Sequence, residues 1–321
     1  MKNAIIAVLD TMHQLAKKLG KRGSETDILM THTSLGDLGL TFIDPLHYPE
    51  KFRSLCHAVN LCDFIVLNIN SLDSVTGEMI LTTHLSGKPG LIYSQTYDED
   101  TLRSVLKATR LKDWPFVSRE PQLMEEITKI NIQPERKKEA GFEIALDQAF
   151  NVKGVGTVIL GTVVSGTIRV HDMIRLLPSG TTTEVRSIQV HDNNMKEAVA
   201  GERVGLALKN VDADKLKSDC TIILDGDKKW GVKTDKDELQ IVYTESDIMK
   251  HELQDNFAIS YLLTDATVKR IKTESKTEGK TEGNLLTVKP DKPIEMKSGL
   301  KGFVYSLQNN YPRVRGTFSF P

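Results

Sequence analysis

Residues able to do chemistry are sparse along this chain. Cys56, His57 and Cys62 have the soft donors that zinc takes, but their spacing falls on a helical stripe with Cys56 facing inward. There a thiol behaves as a small hydrophobe, and no metal site is expected. Lys17 and Lys18 are of a type that meets phosphate, yet they lie side by side in a helical stretch and read as a solvated face. His47, at the end of a strand, has the chemistry of a general base but nothing near it to act on, and reads as a surface or interface histidine. The carboxylates are scattered, with no pair suited to acid–base work, and no nucleophile has a matched base. No catalytic residue is expected.

The elements that would position such groups change character along the chain. Its 321 residues fit two or three domains. The composition, 39% hydrophobic and 26% charged, excludes a disordered or low-complexity chain. With 42 Lys+Arg against 43 Asp+Glu the net charge is -1, so no global positive field is present to hold nucleic acid. Three cysteines cannot form a disulfide framework and point to a reducing compartment. No run approaches the roughly 20 apolar residues of a membrane span, so a cytoplasmic protein is expected.

From residue 1 to about 130, apolar runs at 4–9, 28–31, 40–44, 64–69, 90–94 and 115–118 alternate with helical stripes. The stripes are Met12, Leu15, Ala16 and Leu19; Phe52, Leu55, Cys56 and Val59; and Leu102, Val105 and Leu106. This pattern predicts a mostly parallel sheet flanked by helices, with any ligand at the carboxyl ends of the strands. After a polar linker at 131–139 the period becomes two, with turn signals at Ser165-Gly166, Pro178-Ser179-Gly180, Asp192-Asn193-Asn194 and Ala200-Gly201. That predicts a small β-barrel. A second barrel is expected over about 233–321, with strands at 239–243, 257–263 and 302–307. Its repeat at 272–283 (KTES, KTEG, KTEG) contains no apolar residue and predicts a solvated hairpin loop.

The stretch from Phe150 to Val170, FNVKGVGTVILGTVVSGTIRV, closely resembles the second domain of translational elongation factors, those of the elongation factor Tu and selenocysteine-specific type. Val185 to His191 and Ala200 to Leu208 continue the match in register, and Tyr311 to Thr317 resembles the closing strand of the third domain more weakly. The resemblance implies an α/β P-loop-NTPase-like domain, here degenerate, over 1–132, a domain-2-like barrel over 140–228 and a domain-3-like barrel over 233–321.

The departures lie in the first domain, which in this family is a GTPase. A phosphate-binding loop needs small residues and a lysine. After the first strand this chain has Asp10-Thr11-Met12-His13-Gln14, and its first glycine is Gly20. Asp10 or Thr11 reads as a helix N-cap. The family's switch motif, Asp-x-x-Gly, becomes Asp44-Pro45-Leu46-His47, with histidine in place of the hinge glycine. At the guanine end Gln95-Thr96-Tyr97-Asp98 and Ser118-Arg119 occupy the matching strand ends. Gln95, Asp98 and Ser118 are therefore candidates for a vestigial nucleotide contact, while Asp98 is equally an N-cap for the helix that follows.

Lys153, Arg186 and Arg203 lie within the barrel motifs. The resemblance makes them candidates for contact with RNA or a partner, though on their own they read as surface or strand-edge charges. The reading is a translation-factor-like protein without GTP hydrolysis. No cofactor is expected, GTP, GDP and magnesium being disfavoured. Its partner is expected to be an aminoacyl-tRNA-type RNA, the ribosome or another translation factor, with no membrane and no DNA. The alternatives are an active GTP-binding factor with an unconventional phosphate site and a protein-binding scaffold outside translation.

Overall fold

The computed structural model describes residues 2–36, 38–129, 141–190, 192–216, 220–274 and 283–321. The expected α/β layer followed by two closed barrels is present. The linker at 131–139 and the loop of the KTE repeat at 275–282 lie outside the described residues. No helix among those described is long and apolar enough to cross a membrane.

The α/β layer runs β1 (Lys2–Leu9), α1 (Leu15–Leu19), β2 (Lys21–Glu25), β3 (Leu29–Leu35), β4 (Leu38–Asp44), α2 (Phe52–Leu61), β5 (Phe64–Asn68) and α3 (Ser74–Ser86). It continues with β6 (Gly90–Tyr93), α4 (Glu99–Leu106), β7 (Phe116–Val117) and α5 (Glu120–Lys129). The sheet order is β2-β3-β4-β1-β5-β6-β7. β1, β5, β6 and β7 run parallel, and β2, β3 and β4 form an antiparallel meander. Ala4, Ile6 and Val8 share one cluster with Leu15, Ala16 and Leu19 of α1 and Leu123 and Ile127 of α5. Ile5, Ala7 and Leu9, on the opposite side of β1, are also fully buried. Burial on both faces explains the unbroken apolar runs.

Two stripe positions are corrected. Met12 is 63% exposed because α1 starts only at Leu15, and Val105 is 44% exposed because α4 buries Leu102 and Leu106 alone. Three elements escaped the sequence reading. β2, an edge strand of sequence KRGSE, has no apolar residue to mark it, and α5 buries only Leu123 and Ile127. In α3 the residues Thr76, Glu78, Met79, Ile80, Leu81, Thr82, Thr83 and His84 are all buried. A helix enclosed on every side has no amphipathic stripe to read.

By compactness the chain divides into two units. One comprises Met1–Asn3, Gln133–Thr234 and Pro293–Ser298; the other comprises Ala4–Ile132, Asp235–Lys292 and Gly299–Pro321. In the first unit six strands close a ring, because Met173–Leu177 pairs on one side with Thr221–Leu224 and on the other with Thr182–Val190. Its core gathers Ile144, Ile159, Val163, Ile174, Leu176 and Ile188. Gly161 serves close strand approach, since a Cβ there would come within 2.5 Å of Ile144 Cγ2 and 2.7 Å of the Ala145 carbonyl. Gly166 turns the chain at φ +71°.

In the second unit the C-terminal barrel closes when Leu239–Glu245 pairs with Val314–Ser319. Tyr261, Phe318 and Phe320 stack edge-to-face in its core, with centroids 5.2 to 6.0 Å apart. The α/β layer docks on this barrel through a buried ion pair. Glu78 of α3 is 0% exposed and Arg313 5%. The Arg313 guanidinium donates to both Glu78 oxygens, at 2.6 Å from Nη2 to Oε2 and 3.2 Å from Nε to each. It also donates to the Pro49 carbonyl at 2.8 Å, and the backbone N–H of Arg313 completes the set on Glu78. Tyr48, Phe52 and Tyr311 surround the cation at 5.7, 5.1 and 4.8 Å. His57 with Asp265, and His84 with Asp247 at 2.8 Å, pair across the same junction.

A buried ion pair contributes little net stability but is costly to break on one side. Glu78→Ala should therefore lower the unfolding free energy by about 3–5 kcal/mol. Glu78→Ala/Arg313→Ala should cost clearly less than the sum of the two single changes, read by urea unfolding followed by circular dichroism.

Candidate functional site

The carboxyl ends of the strands bring Asp10 (after β1), Asp44 (last of β4) and Asn68 (last of β5) together around the loop that precedes α1. Asp10 is 2% exposed. Its Oδ2 accepts the backbone N–H groups of Gln14 at 2.9 Å and Leu15 at 3.0 Å. Its Oδ1 accepts the N–H of Met12 at 3.2 Å and the Asn68 amide at 3.1 Å. Asp10 thus does the work of a cap from a distance. The formal N-cap of α1 is Gln14, whose own side chain makes no capping bond, so the simpler N-cap reading of Asp10 or Thr11 is corrected. Backbone N–H groups that turn inward at the end of a first strand form an anion-binding concavity. Here the anion is a side chain of the loop itself.

The opposite charge is also internal. His13 adopts a left-handed backbone, φ +52°. Its Nδ1 lies 2.6 Å from Asp44 Oδ1 and its Nε2 2.8 Å from the Tyr48 carbonyl. Both ring nitrogens thus face oxygen acceptors, an arrangement that favours the protonated ring. Burial opposes that charge, but the Asp44 hydrogen bond, the Asp44 charge and the Tyr48 carbonyl outweigh it, and the His13 pKa is raised. For Asp44, fully buried, desolvation prevails over His13 and raises its pKa. Asp44 Oδ2 and Asn68 Oδ1 are buried without a protein partner.

The other candidates are dispersed. Because β6 and β7 are parallel neighbours, Gln95 and Asp98 share the carboxyl edge with Ser118, and all three are exposed. Asp98 Oδ1 accepts the Thr101 N–H at 2.8 Å, and that bond lowers its pKa; it is the N-cap of α4. His47 is a surface residue bonded to Asp27 at 2.9 Å. Cys56 and Cys62 are buried and His57 turns to Asp265. Among the described residues no group of three or more His, Cys, Asp or Glu is placed to hold a metal.

In the other unit, Lys153 is exposed in the turn between strands Glu143–Val152 and Gly156–Ser165. The Arg186 guanidinium reaches the same turn and donates to the Val155 carbonyl. Phe150, 38% exposed, and Val155, 37% exposed, flank them. Arg203 differs. It grips Asp147 at 2.7 and 3.1 Å, the two side chains being 13% and 5% exposed. Its guanidinium is thus engaged within the barrel on a buried carboxylate, unlike those of the exposed turn.

The signature described as elongation factor Tu domain 2 matches residues 156–223. An uncharacterized protein of Methanocaldococcus jannaschii is 35% identical over 219 residues, 67% of this chain and 70% of that protein. The selenocysteine-specific elongation factor of the same organism is 27% identical over 229 residues, 64% of this chain and 49% of that protein. The chain belongs to the translation elongation factor family. Translation elongation factor SelB of Methanococcus maripaludis, solved with the GTP analogue GppNHp, superposes with a TM-score of 0.82 at 22% identity, covering 100% of this chain and 79% of that one. A bacterial selenocysteine-specific elongation factor gives 0.79 at 21%, covering 100% of this chain and 58% of that one. At these identities the likeness is one of fold. In this fold, Asp10 and His13 stand in the loop after the first strand and Asp44 at the end of β4.

His13, Asn68 and Tyr48 were not singled out in the sequence. The pKa of this half-buried histidine is raised only once a loop and a strand end bring Asp44 to it. Because its folded-state pKa is raised above the ordinary 6.5, the stability it contributes is fully present below about 6.5 and is lost as pH rises through the folded value. The melting-temperature gap between the parent and His13→Gln should therefore be widest near pH 6 and narrow toward about pH 9; a constant gap would show that the ring is held neutral.

Proposed function

We propose that this elongation-factor relative has given up guanine-nucleotide control. On this reading it holds neither GTP nor GDP with magnesium, hydrolyses nothing, and meets the translation machinery through its barrels. The observation that carries the reading is the Asp10 carboxylate bonded to the N–H groups of Met12, Gln14 and Leu15. A phosphate oxygen brought within about 4 Å of that carboxylate meets roughly 4 kcal/mol of repulsion at an effective dielectric of 20. That is about a thousandfold in affinity. Magnesium is opposed as well, because His13 already occupies Asp44. At the guanine end, Asp98 is engaged as a helix cap.

The partner is an aminoacyl-tRNA-type RNA, the ribosome or another translation factor. With a net charge of -1, attraction must be local. The exposed turn carrying Lys153, Arg186 and Phe150 supplies two cations and an aromatic face, the combination on which unpaired nucleotides stack. Selenocysteine specificity is a property named for the relatives, and this chain spans about half of the archaeal one. The cysteines Cys56, Cys62 and Cys220 are not joined in disulfides, consistent with a cytoplasmic setting.

Isothermal titration of the full chain with GTP and magnesium should show no saturation in the micromolar range; a magnesium-dependent micromolar isotherm overturns the loss of nucleotide control. Filter binding with aminoacylated tRNA checks the partner. Lys153→Glu/Arg186→Glu should weaken retention about tenfold if each cation contributes a charge-assisted contact.

A further inference from the structure

Where the α/β layer meets the C-terminal barrel, in the second compact unit, there is a cavity of about 570 Å³. A neighbouring cavity of about 250 Å³ shares Gly87, Lys88 and Arg110 with it and reaches Trp114. Together they have the size of small-molecule sites. Three cations, Lys88, Arg110 and Lys301, line this space, and among the described residues no carboxylate does.

The three cations are not equivalent. Lys88 Nζ donates to the carbonyls of Val59, Asn60 and Cys62 at 2.6, 2.8 and 2.6 Å. It thereby caps the carboxyl end of α2, and its charge offsets the helix dipole. Arg110 and Lys301 are exposed, and neither forms an ion pair among the described residues. The carboxylate acting on Arg110 is Asp247, which does so only through space, its Oδ1 being bonded to His84 Nε2 at 2.8 Å. The lining also includes the apolar side chains of Leu85, Leu262 and Phe303. Leu262 holds φ +46° as the first residue of the two-residue hairpin loop between Tyr261 and Thr264, where such a turn requires it.

We propose that this junction binds a small organic anion. Its acidic group is held by Arg110 and Lys301, and its apolar body lies against Leu85, Leu262 and Phe303. Arg110 belongs to the α/β layer and Lys301 to the barrel, so the ligand bridges the two and strengthens their docking. That it thereby replaces guanine nucleotide as the controlling ligand rests on the reading given under Proposed function; the site itself does not.

The full chain is titrated with 8-anilino-1-naphthalenesulfonate, an anion with an apolar body, and in parallel with neutral N-phenyl-1-naphthylamine. Saturable binding of the sulfonate is expected, about tenfold tighter than the neutral compound, with a loss of about tenfold in Arg110→Gln/Lys301→Gln. The control Arg169→Gln/Lys209→Gln, on the other compact unit, should bind like the parent. Both changed positions are exposed, and circular dichroism checks that the variants remain folded. Absence of saturable binding, equal affinity for the neutral compound, or an unaffected Arg110→Gln/Lys301→Gln variant overturns the proposal. A chain that binds the sulfonate as expected and also binds GTP keeps this site while losing its controlling role, so the two failures are told apart.

Discussion

A carboxylate with no solvent exposure must find its compensation inside the protein, and Glu78 finds it 235 residues away in the chain. Both Glu78 oxygens are engaged by Arg313, and the guanidinium in turn sits among Tyr48, Phe52 and Tyr311. In a low-dielectric setting neither charge is tolerable without the other. The pair therefore acts less as a source of stability than as a condition on geometry: α3 and the C-terminal barrel must stay docked for either residue to be buried. The burial of every α3 residue from Glu78 to His84 follows from the same condition.

The same rule governs the carboxyl edge of the sheet. Asp10 and Asp44 are buried carboxylates, and what compensates them is built from the chain: N–H groups and the Asn68 amide for Asp10, the His13 ring for Asp44. Tyr48 connects this cluster to the docking pair. Its carbonyl faces His13, its hydroxyl donates to the Val75 carbonyl at 2.7 Å, and its ring lies beside Arg313. Burial beside the Glu78 charge also raises the pKa of its hydroxyl, keeping that donor protonated. The loop after β1 is thus held in shape by two residues of its own, Asp10 and His13.

Much of this was legible beforehand. The strand runs of the α/β layer and both barrels follow from hydrophobic period alone, because a strand buried on both faces and a strand lining a barrel each leave a local mark. Asp10 stood out because a carboxylate displaces the small residues a phosphate loop requires. His13, Asn68 and Arg313 left no such mark. Histidine has no preferred burial, and the partners of Asn68 and Arg313, Asp10 and Glu78, lie 58 and 235 residues away. The pairing of Arg203 with Asp147 was hidden for a related reason: whether an arginine faces solvent or clamps a carboxylate depends on a neighbouring strand.

The sequence by itself determined the order of an α/β layer and two barrels, the resemblance to elongation factors, and the absence of a glycine-rich phosphate loop. These rest on local period and on residue types at fixed spacing. Tertiary structure alone decided where each charge is compensated. It placed the Asp10 carboxylate within the turn of N–H groups, raised the His13 pKa by setting it against Asp44, joined α3 to the C-terminal barrel, and left Arg110 and Lys301 together on one cavity. Charge compensation acts over a few ångströms of space and is indifferent to distance along the chain, so no local pattern could encode it.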